Sequence, residues 1–278
     1  MTVPTSIERL EPFPEIAIAL LHRIPIQFPV MPDFRDLIEK RPHLLGGIHR
    51  VAVQSGRVAA ETEPASLFDQ VEATALAEIA VTLLLRDYME HAFAIADDRR
   101  YWRYTLASAV CCQLVAGPSQ QTLLAYACGL LHDIGRLAFI ATYPDRYSNL
   151  LTLTDRMFAS GEDFDILERE RLLFGMDHFA AGGWLAAVWK MPPWLCAIVG
   201  KFDKASGEYA KLVETVRSGT RLAHSLGFGY LQAAPRANVR DILSSLPPGK
   251  PGDSAPSEKR LRDEIQSRLS WYANAESS

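Results

Sequence analysis

The sequence predicts an all-α fold, and three observations carry that prediction. Apolar residues recur at i, i+3, i+4 and i+7 along most of the 278 residues. Gly-Pro, Pro-Pro and Ser-Gly breakers separate these runs at helix-length intervals. No alternating apolar–polar run is long enough to make a useful strand. Hydrophobic residues form 48% of the chain, enough for a packed core.

The elements follow in order. Pro14 precedes a helix in which Ile16, Ala19, Leu20 and Arg23 keep helical spacing, and Pro25 lies beyond its end. Asp33 suits the N-cap of a short helix reaching Ile38, and Pro42 opens another to about Ser55. Ser66 to Glu72 reads as a turn or two. Leu76 to Ala96 gives a long helix with Leu83, Leu84 and Tyr88 on one face. Further helices are predicted over Tyr101–Ala116, Ser119–Asp133, Arg136–Thr142, Asp145–Ala159, Phe164–Phe174, Asp177–Lys190, Pro193–Gly200 and Glu208–Leu226. In the helix after Asp177, Trp184 with Val188 and Leu185 with Trp189 read as core stripes, and Gly182-Gly183 implies close helix packing. No fixed-period repeat emerges, which disfavours a solenoid. From Ser244 the composition is that of a flexible linker. Beyond it, Leu261, Ile265 and Leu269 at i, i+4 and i+8 mark a candidate amphipathic helix, Glu258 to Tyr272. Docking on the body, docking on a partner and fraying all remain open for it.

Composition narrows the function. A formal charge of -4 offers no electrostatic footprint for nucleic acid and no polybasic surface for anionic lipid. Ala75 to Leu85, the best apolar stretch, carries Glu78 and falls short of the ~20 residues a bilayer requires. Acidic residues and prolines interrupt the N-terminal segment, which does not read as a signal peptide. Cys111, Cys112, Cys128 and Cys196 form no C-x-x-C pair and sit among apolar neighbours, as buried reduced thiols do. The expectation is a cytoplasmic protein.

One stretch could carry chemistry: Gly129-Leu130-Leu131-His132-Asp133-Ile134-Gly135-Arg136-Leu137. An apolar helix ends in a His-Asp pair, and Gly135 can adopt the backbone needed to turn into the next helix. At a helix end an imidazole and a carboxylate can converge on one cation, half of a divalent-metal site. The same pair also suits a core histidine bonded to Asp133 or to backbone. Asp177-His178 has the same ambiguity, because Asp177 suits an N-cap and His178 a first helical turn.

The sequence resembles the HDOD domains, bacterial relatives of the HD metal-dependent phosphohydrolases found in signalling proteins. The resemblance runs through Leu10-Glu11-Pro-Phe-Pro-Glu15, Leu37–Pro42, Tyr101-Trp102-Arg103-Tyr104-Thr105, Gly129–Leu137, Glu170, Phe174–His178 and Trp189–Pro192. It implies a two-lobed helical bundle over residues 7–230, a first lobe of about 7–96 and an HD-like lobe of about 97–230. Residues 231–278 would form a linker and flexible tail.

The family pattern also implies what is missing. The first metal-binding histidine falls at Tyr104, and a phenol with a pKa of about 10 is a poor ligand at neutral pH. The closing His-His falls at Lys201-Phe202, where an ammonium would repel a divalent cation. The distal aspartate falls on the helix holding His224. His132, Asp133 and His178 are the surviving candidate metal ligands, within a vestigial HD pocket completed by Tyr104, Lys201 and His224. The resemblance thus implies a non-catalytic signalling module with a degenerate metal site, acting through signalling proteins or a bound nucleotide messenger, with no cofactor. The alternative is a phosphodiesterase or phosphohydrolase dependent on a divalent metal (Fe, Mn or Zn). Asp133 is also expected to need a neutralising cation, which Lys201 could supply.

Overall fold

The computed structural model describes residues 4–24, 31–92, 99–117, 121–200, 207–231, 234, 236–245 and 257–273. Among them the chain is helical, with no strand, as the periodicity predicts. The first helices in chain order are α1 (Thr5–Glu8), α2 (Glu15–Leu21), α3 (Met31–Glu39), α4 (Pro42–Gln54), α5 (Leu67–Gln70) and α6 (Ala73–Ala92). There follow α7 (Arg99–Ala116), α8 (Thr122–Leu131), α9 (Ile134–Thr142), α10 (Pro144–Ala159) and α11 (Ile166–Phe174). The last are α12 (His178–Val188), α13 (Pro193–Val199), α14 (Ala210–Ala223), α15 (Val239–Ser244) and α16 (Glu258–Ala273). A π-helical turn, His224–Phe228, extends α14.

Local chemistry explains some of these limits. Asp165 accepts hydrogen bonds from the N–H groups of Leu167 and Glu168, and Asp177 accepts one from Ala180 N–H, so both cap helices. Asp33, in contrast, lies inside α3 rather than capping it. The short α1 and α15, of 4 and 6 residues, are too brief to show a period in the sequence.

Two compact units result, and their limits differ from the expected lobes. The larger comprises Met1–Pro12 and Met89–Ala255, the smaller Phe13–Tyr88 and Pro256–Ser278. The expected tail therefore divides. Val239 and Ile242 of α15 are buried, and α15 packs on α14. In the smaller unit α16 packs against α4, burying Leu261, Ile265 and Tyr272. Its Arg268 pairs with Glu78 of α6. Helix α16 is thus part of a core, because three apolar side chains on it find a surface to cover. The linker residues 246–256 lie outside the described residues.

In the larger unit α7 is packed by both α8 and α14. A Cβ on Gly129 would lie 2.7 Å, and one on Gly219 2.5 Å, from Cys112 Sγ. Helix α9 meets α12 as closely: a Cβ on Gly135 would sit 1.7 Å from the His178 carbonyl oxygen. Gly135 lies within α9, so its role is this close approach and not the turn expected of it. Gly182 and Gly183 likewise let α12 approach Val199 and Gly200 at the end of α13. Leu185 and Trp189 are core, as their stripe predicts, whereas Trp184 is half-buried and Val188 exposed.

Cys111, Cys112 and Cys128 are buried and Cys196 is half-buried. Burial pushes all four thiols above their ordinary pKa. One stretch, Thr122–Thr142, is long and apolar enough to cross a membrane, unlike the Ala75–Leu85 run singled out from the sequence. Of its most apolar window, 94% is buried inside the protein, and it breaks at His132-Asp133 into α8 and α9.

Candidate functional site

The break between α8 and α9 presents His132 and Asp133 to the core of the larger unit, each 5% exposed. His132 Nδ1 lies 2.8 Å from the Gly129 carbonyl oxygen, which can only accept, so Nδ1 carries the proton. The lone pair of Nε2 is then met by the Tyr104 hydroxyl at 2.8 Å. Burial lowers the His132 pKa against the pull of Asp133, in keeping with a neutral ring. Burial also raises the Tyr104 phenol, with the Asp133 charge adding to the effect.

A second histidine comes from the start of α12. His178 Nδ1 donates to Glu170 Oε2 at 2.6 Å, and the same oxygen accepts the His178 backbone N–H at 2.9 Å. Between the two histidines lies Arg136. Its Nε donates to Asp133 Oδ2 at 2.6 Å, Nη1 to the Tyr147 hydroxyl at 2.9 Å, and Nη2 approaches His178 Nε2 at 3.1 Å. Tyr147 in turn donates to Glu170 Oε1 at 2.8 Å. The guanidinium lies 4.9 Å from the centre of the Tyr230 ring. For this guanidinium burial favours the neutral form, but Asp133, Tyr147 and Glu170 outweigh it and hold the pKa well above the ordinary value. For Glu170, burial is outweighed by the hydrogen bonds from His178 and the charge of Arg136, so its carboxyl sits below the usual range.

The sequence-predicted residues therefore separate. His132, Asp133, His178 and Tyr104 do gather at one centre. His224 lines a cavity together with Tyr104 and Arg136, its Nε2 donating to the Ala234 carbonyl oxygen at 3.2 Å. Lys201 lies outside the described residues. The cation beside Asp133 is Arg136, three positions along the chain, a spacing that places both on one helical face. That i, i+3 relation was the signal available in the sequence. Glu170 was marked by the family pattern but not by its spacing, and Tyr147 gave no signal, since their partners lie 8 and 11 residues or more away.

In this arrangement the Arg136 guanidinium occupies the space between Asp133 and His178. A cation at His132 Nε2 would have to displace Tyr104, and one at His178 Nε2 or Asp133 would meet the fixed charge of Arg136. Among the described residues no group of three or more His, Cys, Asp or Glu side chains is placed to hold a metal ion.

The His132 environment predicts a pH dependence. Its folded pKa lies below the ordinary 6.5, so as pH falls through 6.5 the unfolded chain takes up a proton that the folded chain refuses. Stability should fall through that window by up to about 1.4 kcal/mol per pH unit. Glu170 should add a second decline below its ordinary 4.5, where the unfolded carboxyl protonates first. Denaturant melts from about pH 8 to 5 on the wild type and on His132→Gln test the first decline. An equally steep loss in the variant would refute this assignment.

Comparison with known proteins comes from two directions. The HDOD domain family matches residues 72–204. Among solved structures, an HDOD domain protein of unknown function from Geobacter sulfurreducens superposes with a TM-score of 0.73 at 20% identity, covering 98% of this chain and 96% of that one. A candidate signal transduction protein from Marinobacter aquaeolei VT8 gives 0.70 at 20% identity, with 98% of this chain and 64% of that chain covered, less than two thirds of its length. A candidate phosphohydrolase from Shewanella amazonensis SB2B gives 0.65 at 16% identity, over 97% of this chain and 96% of that one. No curated protein matches the chain. These superpositions establish a shared fold, and the family match covers α6 to α13 with the His-Asp centre among them. Over residues 72–204 the chain matches the HDOD domain family, and it shares the fold of the HDOD domain protein from Geobacter sulfurreducens.

Proposed function

We propose that the chain is a non-catalytic regulatory module of bacterial, cytoplasmic signalling, working through protein contacts or a bound messenger. One observation supports this reading above the others: the Arg136 guanidinium contacts both Asp133 and His178 at the HD centre. A centre neutralised by a covalently attached cation can be structurally indispensable and chemically idle. The family match and the candidate signalling role of the Marinobacter aquaeolei protein agree with it.

The rival is a divalent-metal phosphohydrolase, the activity named as a candidate for the Shewanella amazonensis protein. It would require His132, Asp133, His178 and His224 to assemble iron, manganese or zinc around a hydroxide that attacks a phosphate ester. Arg136 would have to leave first. Protein purified without chelator or nickel affinity should carry well under one equivalent of transition metal per chain. It should also leave a generic phosphodiester intact when manganese is added. Metal-dependent turnover that disappears in Asp133→Ala without loss of stability would overturn the reading.

A further inference from the structure

A cavity of about 390 Å3 opens beside the HD centre, between Tyr104 and Arg136 on one side and Thr220, Arg221, His224 and Ser225 on the other. Its volume lies within the ~300–1,000 Å3 of small-molecule sites. Among the described residues no carboxylate lines it, while two arginines do. Of these, Arg136 already faces Asp133 and Glu170. Arg221 is exposed and forms no ion pair or side-chain hydrogen bond with a described residue. Ser225 supplies an independent sign: it is 6% exposed, and its buried Oγ has no hydrogen-bond partner among the described residues. Leaving a buried hydroxyl unpaired is costly, so an orphan in a cavity wall points to a partner from outside the chain. The Thr220 hydroxyl hydrogen is already committed to the Arg217 carbonyl oxygen at 3.1 Å, and His224 Nε2 to Ala234. The uncommitted side-chain donors are therefore the Arg221 guanidinium fork, the Ser225 hydroxyl and the Tyr230 phenol, a set suited to an anion with several acceptor oxygens.

We propose that this cavity binds a phosphate-bearing small molecule, with the phosphate between Arg221 and Ser225 and the remainder against Tyr104. The inference rests on the non-catalytic reading of the centre, since an active site would consume such a ligand. It assigns the messenger-binding role to a particular place and chemistry.

Calorimetric titration of the full chain with AMP and with inorganic phosphate, at low salt and without divalent cations, tests it. Saturable binding of either probe is expected, weakened about tenfold or more by Arg221→Gln, the loss expected for one hydrogen bond to a charged group. Ser225→Ala should weaken binding too, without lowering the melting temperature of the free protein, because it removes an unsatisfied hydroxyl. Tighter binding of AMP than of phosphate identifies an organic phosphate as the ligand, and equal binding identifies free phosphate. Absence of binding at concentrations on the order of 10 mM, or binding untouched by Arg221→Gln, would overturn the site. Release of phosphate from AMP after manganese is added would instead sink the non-catalytic reading while leaving the site in place.

Discussion

Replacing Arg136 with methionine is expected to destabilise the protein by about 3–5 kcal/mol, the usual cost of stranding a buried charge. Methionine matches much of the side-chain volume, so packing changes little. What disappears is the cation facing Asp133 at 2.6 Å and Glu170 at 3.7 Å, both nearly inaccessible to solvent. Asp133 Oδ1 already lacks a hydrogen-bond partner, and without Arg136 the whole carboxylate would be left near His178. Asp133→Asn should be destabilising for the reciprocal reason. The double variant should cost less than the sum of the singles, because each removes a group the other requires. Urea melts of the three variants measure this. A single Arg136→Met variant as stable as the wild type would mean that the carboxylates are compensated elsewhere, and a metal would become the leading candidate.

Removing residues 257–278 should cost several kcal/mol. Leu261, Ile265 and Tyr272 are 6%, 0% and 1% exposed. At about 1.5–3 kcal/mol for each fully buried large apolar side chain, losing the helix removes an upper bound of some 5–9 kcal/mol. It also strips Glu78 of α6, itself 6% exposed, of its partner Arg268. The smaller unit should become protease-sensitive or fail to fold. Limited proteolysis and thermal melts of the truncated chain provide the check, and an unchanged melting temperature would contradict the packing seen for α16.

What could be read from the sequence follows from the range of the forces involved. Helices with several turns announce themselves by period and caps, so α4, α10 and α16 appear within a residue or two of their predicted limits. Docking does not announce itself. The apolar face of α16 is legible, but α4, which it covers, lies more than two hundred residues earlier. At the centre, Tyr104, His132, Asp133 and His178 were legible through the family pattern, whereas the neutralising cation was sought at Lys201. Counter-charges are conferred by geometry, and Arg136 reaches Asp133 because α9 begins there. Gly135 shows a related limit: a glycine before a helix suggests a turn, and only the path of α12 reveals that its missing side chain makes room for the His178 carbonyl.

The division of the chain also bears on the order in which the protein is built. The smaller unit draws its residues from both sides of an insertion of about 170 residues, and closing a loop of that length carries an entropic cost that grows only slowly with size. During synthesis α2 to α6 emerge with the surface meant for α16 uncovered, and they must wait while the larger unit is translated. The larger unit is nearly continuous in sequence and can collapse as soon as α15 has left the ribosome. The surface of α4 that α16 covers therefore stays exposed until the larger unit has been translated, an interval in which uncovered apolar surface favours aggregation.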